Sequence, residues 1–205
     1  MKQEDQHGIL MRGLGRWLVY SRPRAWVGQR FELPNLLKGV DVPLYARCLD
    51  LATGLGWATA GIAGIAPSAR IVSVDYDIDV LPRAREYLKS RPAGPNAVFC
   101  RADGKRLPFH DHSFDLVVCL YGLHHFRGYF DALREIGRVL KPTGAFGLIE
   151  PIRGADKPPR GHHGTEVLTQ AELWRMLDEA GFEILSSRIS FGAMRAVMRS
   201  REARD

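Results

Sequence analysis

From residue 45 onward, short apolar runs alternate with stripes of helical period along this 205-residue chain. Residues 45–51, 70–75, 96–101, 114–120 and 145–150 read as five strands, rich in Val, Ile, Leu and Phe. Between them, residues 57–66, 78–90 and 131–140 read as helices. The last has apolar residues at 132, 133, 136, 139 and 140 and is closed by Lys141-Pro142-Thr143-Gly144. A helix over 170–180, ended by Gly181, leads into a closing hairpin of 182–188 and 190–198. Strand–helix alternation of this kind predicts an α/β fold with a parallel sheet. Ahead of it, residues 8–37 read as one or two helices broken around Pro23. The expected division is an N-terminal helical cap or lid over 1–40 and an α/β domain over 41–205.

Composition narrows the class. Hydrophobic residues make up 45% and charged residues 25%, which excludes disordered and collagenous chains. No run of about 18 apolar residues occurs. Glu4 and Asp5 give the first residues the wrong charge for a secretory leader, and Cys48, Cys100 and Cys119 form neither a disulfide framework nor a CxxC pattern. A cytoplasmic protein is expected. The net charge of +6 is unevenly spread. Residues 1–30 hold six Lys or Arg against two acids and residues 188–205 five Arg against two, so the body between is nearly neutral. The basic ends leave RNA or an anionic membrane surface as conceivable partners.

The first strand runs into Asp50-Leu51-Ala52-Thr53-Gly54-Leu55-Gly56, where glycine lets backbone N–H groups approach a ligand. About 20 residues further on, the second strand ends in Asp75, where Rossmann-like folds accept hydrogen bonds from a ribose. Both features suit an adenosine-containing cofactor. The third glycine of a dinucleotide fingerprint is replaced by Thr59, which argues against a nicotinamide dehydrogenase.

These residues resemble the class I S-adenosylmethionine-dependent methyltransferases, and most closely the small-molecule group that includes the ubiquinone/menaquinone-pathway C-methyltransferases. The likeness is carried by the segment from Leu49 to Gly56, by Val74-Asp75-Tyr76-Asp77, by Arg101-Ala102-Asp103-Gly104 through Leu107-Pro108-Phe109 to Asp115, and by Leu123-His124-His125 through Leu133 to Gly144. The resemblance implies a Rossmann-like, seven-stranded, mostly parallel sheet with helices on both faces and an antiparallel last strand. It implies S-adenosyl-L-methionine as cofactor. By position, Asp50 and the backbone of Ala52, Thr53, Gly54 and Gly56 would face its methionine part. Asp75 would bind the ribose, Tyr76 would pack on the adenine, Asp103 and the Gly104 backbone would receive the adenine amino group, and the backbone at Cys119 and Leu120 would lie by the methionine amino group. The family usually has Gly where this chain has Ala52, and the extra methyl is tolerable if φ there is negative.

Methyl transfer from a sulfonium is an in-line displacement that needs positioning first, and a base only where the acceptor must lose a proton. His124 is the candidate base, with Tyr121, His125 and His162 as candidate acceptor contacts. The His124–His125 and His162–His163 pairs lack the spacing and accompanying ligands of a zinc site, so no metal is expected. The strand-four end, Cys119-Leu120-Tyr121-Gly122, has no Asn/Asp-Pro-Pro-aromatic motif, which points away from DNA. The expected activity is methyl transfer to a small organic acceptor. The alternatives are an RNA or protein methyltransferase using the basic termini, or a silent cofactor-binding module.

Overall fold

The protein is represented by a computed structural model, which describes residues 21–89, 96–154 and 167–201. Seven strands form one sheet: β1 (Arg47–Leu51), β2 (Arg70–Asp75), β3 (Ala97–Arg101), β4 (Phe114–Leu120), β5 (Leu140–Pro151), β6 (Phe182–Ser190) and β7 (Ala193–Ser200). Their order is β3-β2-β1-β4-β5-β7-β6. The pairs from β3 through to β5 are parallel, and β7 is antiparallel to both its neighbours. The antiparallel last strand agrees with the expected architecture. The hairpin does not simply extend the sheet, however, because β7 inserts between β5 and β6.

Residues along the central strands alternate between two buried faces, as the two-residue period demands. Leu49, Leu51, Val117, Cys119, Phe146 and Leu148 face one core, shared with Leu133 and Ile136 of α5 (Tyr129–Val139) and Leu173 and Leu177 of α6 (Gln170–Glu179). Cys48, Leu116, Val118 and Ile149 face the other, packed against the N-terminal helical segment and α3 (Trp57–Ile65). On that side α4 (Leu81–Lys89) packs on α3 through Val80, Leu81 and Ala84 against Ala60. Burial on both faces explains why β1 and β4 read as nearly continuous apolar runs.

Two local features refine the reading. Pro23 sits in the first turn of α1 (Arg22–Val27), where a missing N–H costs nothing, and Ser21 caps that turn, so a helix starts at this proline. The helix continues through a π-helical stretch, Gly28–Glu32, into α2 (Leu33–Leu36). The widened turns lie just ahead of Pro34, whose ring would clash with a carbonyl one α-turn back. Lys141–Gly144 is not a plain turn. Phe114 pairs with Leu140 and Leu116 with Ala145, so these residues form a bulge inside β5, tied down by Lys141 Nζ on Asp115 Oδ1 at 2.8 Å. Leu33 and Leu36 are buried in the sheet's own core, while residues 1–20 of the expected cap lie outside the described residues.

Candidate functional site

β1 has β2 on one side and β4 on the other, so the crevice beyond the carboxyl ends of β1 and β4 is the point where strand order reverses. Ligands of open α/β sheets bind there. The chain leaves β1 through a turn with φ of +59° at Ala52, +53° at Gly54 and +77° at Gly56. The turn is braced from below. Asp50, 1% exposed, accepts from Thr53 Oγ1 at 2.7 Å, Thr59 Oγ1 at 2.6 Å and the Thr59 N–H at 3.0 Å. Thr59 also shares a 2.7 Å hydroxyl contact with Ser73 of β2. Burial pushes the Asp50 carboxyl up to about 6 against the pull of these donors. Asp50 therefore lies under the turn and shapes it. The condition set for Ala52 is not met: its φ is left-handed, which costs a non-glycine residue about 1–2 kcal/mol.

Asp75 ends β2 on the rim of this turn. Its Oδ2 accepts the Gly54 N–H and its Oδ1 the Asp77 N–H, each at 2.9 Å. Burial raises its pKa to about 6, while backbone donors at Gly54, Asp77 and Tyr76 pull it down. An ionised carboxylate offers about four lone-pair sites, so the group retains acceptor capacity for a hydroxyl. Next to it, the Tyr76 ring lies 5.0 Å from the Arg101 guanidinium, which also donates to the Tyr76 carbonyl at 3.1 Å.

Asp103 and Gly104 follow β3 at the same edge. Asp103 Oδ1 takes the Lys105 N–H at 3.0 Å, and a Cβ on Gly104 would sit 2.4 Å from the Phe126 ring. The loop beyond them is pinned by α5. Arg138 donates to the Phe109 carbonyl at 2.8 Å, the Leu107 carbonyl at 3.1 Å and Asp111 Oδ1 at 2.7 Å, and Glu135 accepts the Leu107 N–H at 2.7 Å. Arg138 and Glu135 are themselves joined by a bidentate pair of 2.7 and 2.8 Å. This pairing holds the Glu135 carboxyl below its usual range.

On the β4 side, Cys119 and Leu120 are buried strand residues, and Tyr121 has φ +57°. The Tyr121 hydroxyl donates to Glu32 Oε1 at 2.9 Å, and the Arg24 guanidinium lies 4.7 Å from its ring. Burial and Glu32 push the phenol up to about 12. Tyr121 thus joins the sheet to the N-terminal helical segment. His124 and His125 occupy a short 3-10 turn, Leu123–His125, with ring centroids 4.1 Å apart. Glu150, at the end of β5 and 2% exposed, accepts His124 Nδ1 at 2.7 Å, the His124 N–H at 2.9 Å and the Leu123 N–H at 3.2 Å. Glu150 was not among the expected site residues. Its signal in the sequence is a lone acid closing the apolar run Phe146-Gly147-Leu148-Ile149, the same placement that marked Asp75. His162 lies outside the described residues.

The arrangement fits an adenosine cofactor. A strand-end carboxylate is held outward by backbone donors, a turn with three left-handed residues adjoins it, and a second acid follows β3 on the same edge. A family profile described as a methyltransferase domain matches residues 49–148. A demethylmenaquinone methyltransferase of Thermus thermophilus is 35% identical over 193 residues, covering 86% of this chain and 82% of that protein. A ubiquinone/menaquinone biosynthesis C-methyltransferase, UbiE, of Ectopseudomonas mendocina is 37% identical over 128 residues; the match covers 62% of this chain and about half, 48%, of that relative. Among solved structures, a SAM-dependent methyltransferase of Aquifex aeolicus superposes with a TM-score of 0.74 at 17% identity, covering 93% of this chain and 98% of that one, which bears on the fold alone. With its glycine turn, strand-end acids and antiparallel seventh strand, the chain belongs to the class I S-adenosylmethionine-dependent methyltransferases and is related to their quinone-pathway C-methyltransferases.

Proposed function

We propose that the enzyme methylates a ring carbon of a hydroxylated aromatic acceptor of hydroquinone type, with His124 as general base. The observation that carries this reading is the 2.7 Å contact between His124 Nδ1 and the buried Glu150. An ionised carboxylate can only accept, so Nδ1 carries the proton and Nε2 is left as the basic nitrogen. Two backbone N–H groups also donate to Glu150, which keeps the pair in one geometry. A carbon acceptor needs such a base. When the ring carbon bonds to the methyl, the proton it already bears must leave to restore aromaticity. When bound, S-adenosylmethionine would supply a methyl group activated by its sulfonium, with the sulfur as leaving group.

In the same reading, Asp75 holds the ribose, Asp103 and the Gly104 backbone receive the adenine edge beside Tyr76, and the Ala52–Gly56 backbone receives the methionine arm. Asp50 acts through the turn that it braces. Tyr121, held by Glu32 and Arg24, and His125 form the acceptor side, with residues 1–40 as a cap. The test is transfer of isotopically labelled methyl to a hydroquinone, with the product mapped by mass spectrometry. Label on a ring carbon supports the proposal, and label on oxygen alone contradicts it.

A further inference from the structure

The β6–β7 hairpin turns through Phe191 and Gly192, with φ of +52° and +70°, the two positive values a type I′ turn requires. Asn, Asp or Gly ordinarily fills the first of these positions. Here it holds a Phe that is 100% exposed, so its backbone strain is offset by no packing within the described fold. The tip is at the carboxyl edge of the sheet, where Ala193 pairs with Pro151 and the Gly192 carbonyl accepts the Ile152 N–H at 2.9 Å. Its neighbours Ile189 and Arg188 are exposed as well.

The tip is joined to a second exposed apolar element. Arg195 donates to the Ser190 carbonyl at 2.9 Å and Ser190 Oγ at 2.7 Å, and its other terminal nitrogen lies 3.5 Å from Glu32 Oε1. The helical segment carrying Glu32 buries Ala25, Gly28 and Leu33, and on its outer side exposes Trp26, Val27 and Phe31 beside Arg22 and Arg30. Residues 21–31 and 186–192 contain no Asp or Glu. The adjoining Glu32 is turned inward, 15% exposed and paired with Arg24, Arg195 and Tyr121. Apolar side chains interleaved with arginines, with that acid already neutralised, match an anionic lipid surface, where rings enter the acyl boundary and guanidinium groups meet phosphates.

We propose that this edge docks on anionic lipid bilayers, with Phe191 as the inserted side chain. The bilayer is favoured over a nucleic acid because the exposed set includes the aliphatic Val27 and Ile189, which offer no stacking face. The proposal is independent of which acceptor is methylated. It is tested with the full chain and phosphatidylcholine vesicles made with and without phosphatidylglycerol. Co-sedimentation with the phosphatidylglycerol vesicles, weakened by salt and by Arg188→Glu, is the expected result.

Phe191→Asn separates docking from folding, because it installs a residue suited to the turn. The substitution is expected to raise the melting temperature by a few degrees and to lower vesicle binding by at least about tenfold. Several outcomes would overturn the proposal: no vesicle binding by the wild type, equal binding by Phe191→Asn, or binding to RNA or self-association through Phe191 in place of binding to lipid.

Discussion

The Cβ of Ala52 stands 2.6 Å from the point where a Cβ on Gly122 would begin, so the glycine after β4 makes room for the methyl after β1. The two residues face each other across the crevice at which strand order reverses, and Ala52 and Tyr121 are both left-handed there. Strain on both walls of a binding crevice is where a fold commonly stores it. Gly122→Ala should destabilise the protein by about 1–3 kcal/mol, since the new methyl meets Ala52 and Cys119 Sγ together. Ala52→Gly should be near neutral, relief of strain being offset by glycine's extra chain entropy. In that background Gly122→Ala should cost about 1 kcal/mol less. A denaturant-unfolding cycle of the four proteins measures this coupling, and strict additivity would refute the contact.

On the proposed ribose role of Asp75, cofactor affinity should depend on pH. Burial pushes its carboxyl up to about 6, and the protonated form would lose acceptor capacity for the ribose. Calorimetry with S-adenosylhomocysteine should show affinity falling as pH drops from about 7 to about 5. Asp75→Asn should bind about tenfold or more weakly at neutral pH and respond little to pH over that range. A wild-type affinity that is flat with pH would remove Asp75 from the ribose site.

Asp50 makes stability depend on pH. With its folded pKa raised to about 6, the folded state binds a proton more tightly than the unfolded chain, so its contribution is greatest at low pH and is lost as pH rises through 6. Between about pH 4 and about pH 7 the wild type should lose about 2 kcal/mol relative to Asp50→Asn, which has no proton to release. Parallel stability–pH curves for the two proteins would contradict this account.

Arg138 and Glu135 brace the loop that follows Asp103 and Gly104. Arg138→Ala should destabilise by about 1–3 kcal/mol and weaken S-adenosylhomocysteine binding several-fold, because the side of the crevice proposed to receive the adenine loses its support. Arg138→Lys should recover little, since one ammonium cannot satisfy a bidentate carboxylate and two carbonyls at once. Full recovery by Lys, seen in thermal unfolding and calorimetry, would reduce the brace to a simple charge effect.

The strand–helix alternation, the glycine turn and the acid ending β2 were legible because each is a local pattern, whereas the strand order, with β7 between β5 and β6, is set by long-range pairings. Glu150 closes an apolar run as Asp75 does, yet its partner His124 lies 26 positions earlier, and only the parallel pairing of β4 with β5 brings them together. The link from Glu32 to Tyr121 spans 89 positions and left no local trace. The left-handed backbone at Ala52 was invisible for another reason. Alanine ordinarily signals a regular conformation, and the compensation at Gly122 comes from a different strand.

The proposed carbon methylation depends on the His124–Glu150 pair more than on any other contact. The measurement that reaches it is single-turnover methyl transfer to a hydroquinone by wild type and His124→Gln, set beside S-adenosylhomocysteine affinity for both. The prediction is a loss of about 10²–10⁴ in the transfer rate with affinity unchanged, the range expected when a general base is removed. A His124→Gln enzyme that transfers methyl at the wild-type rate would contradict it.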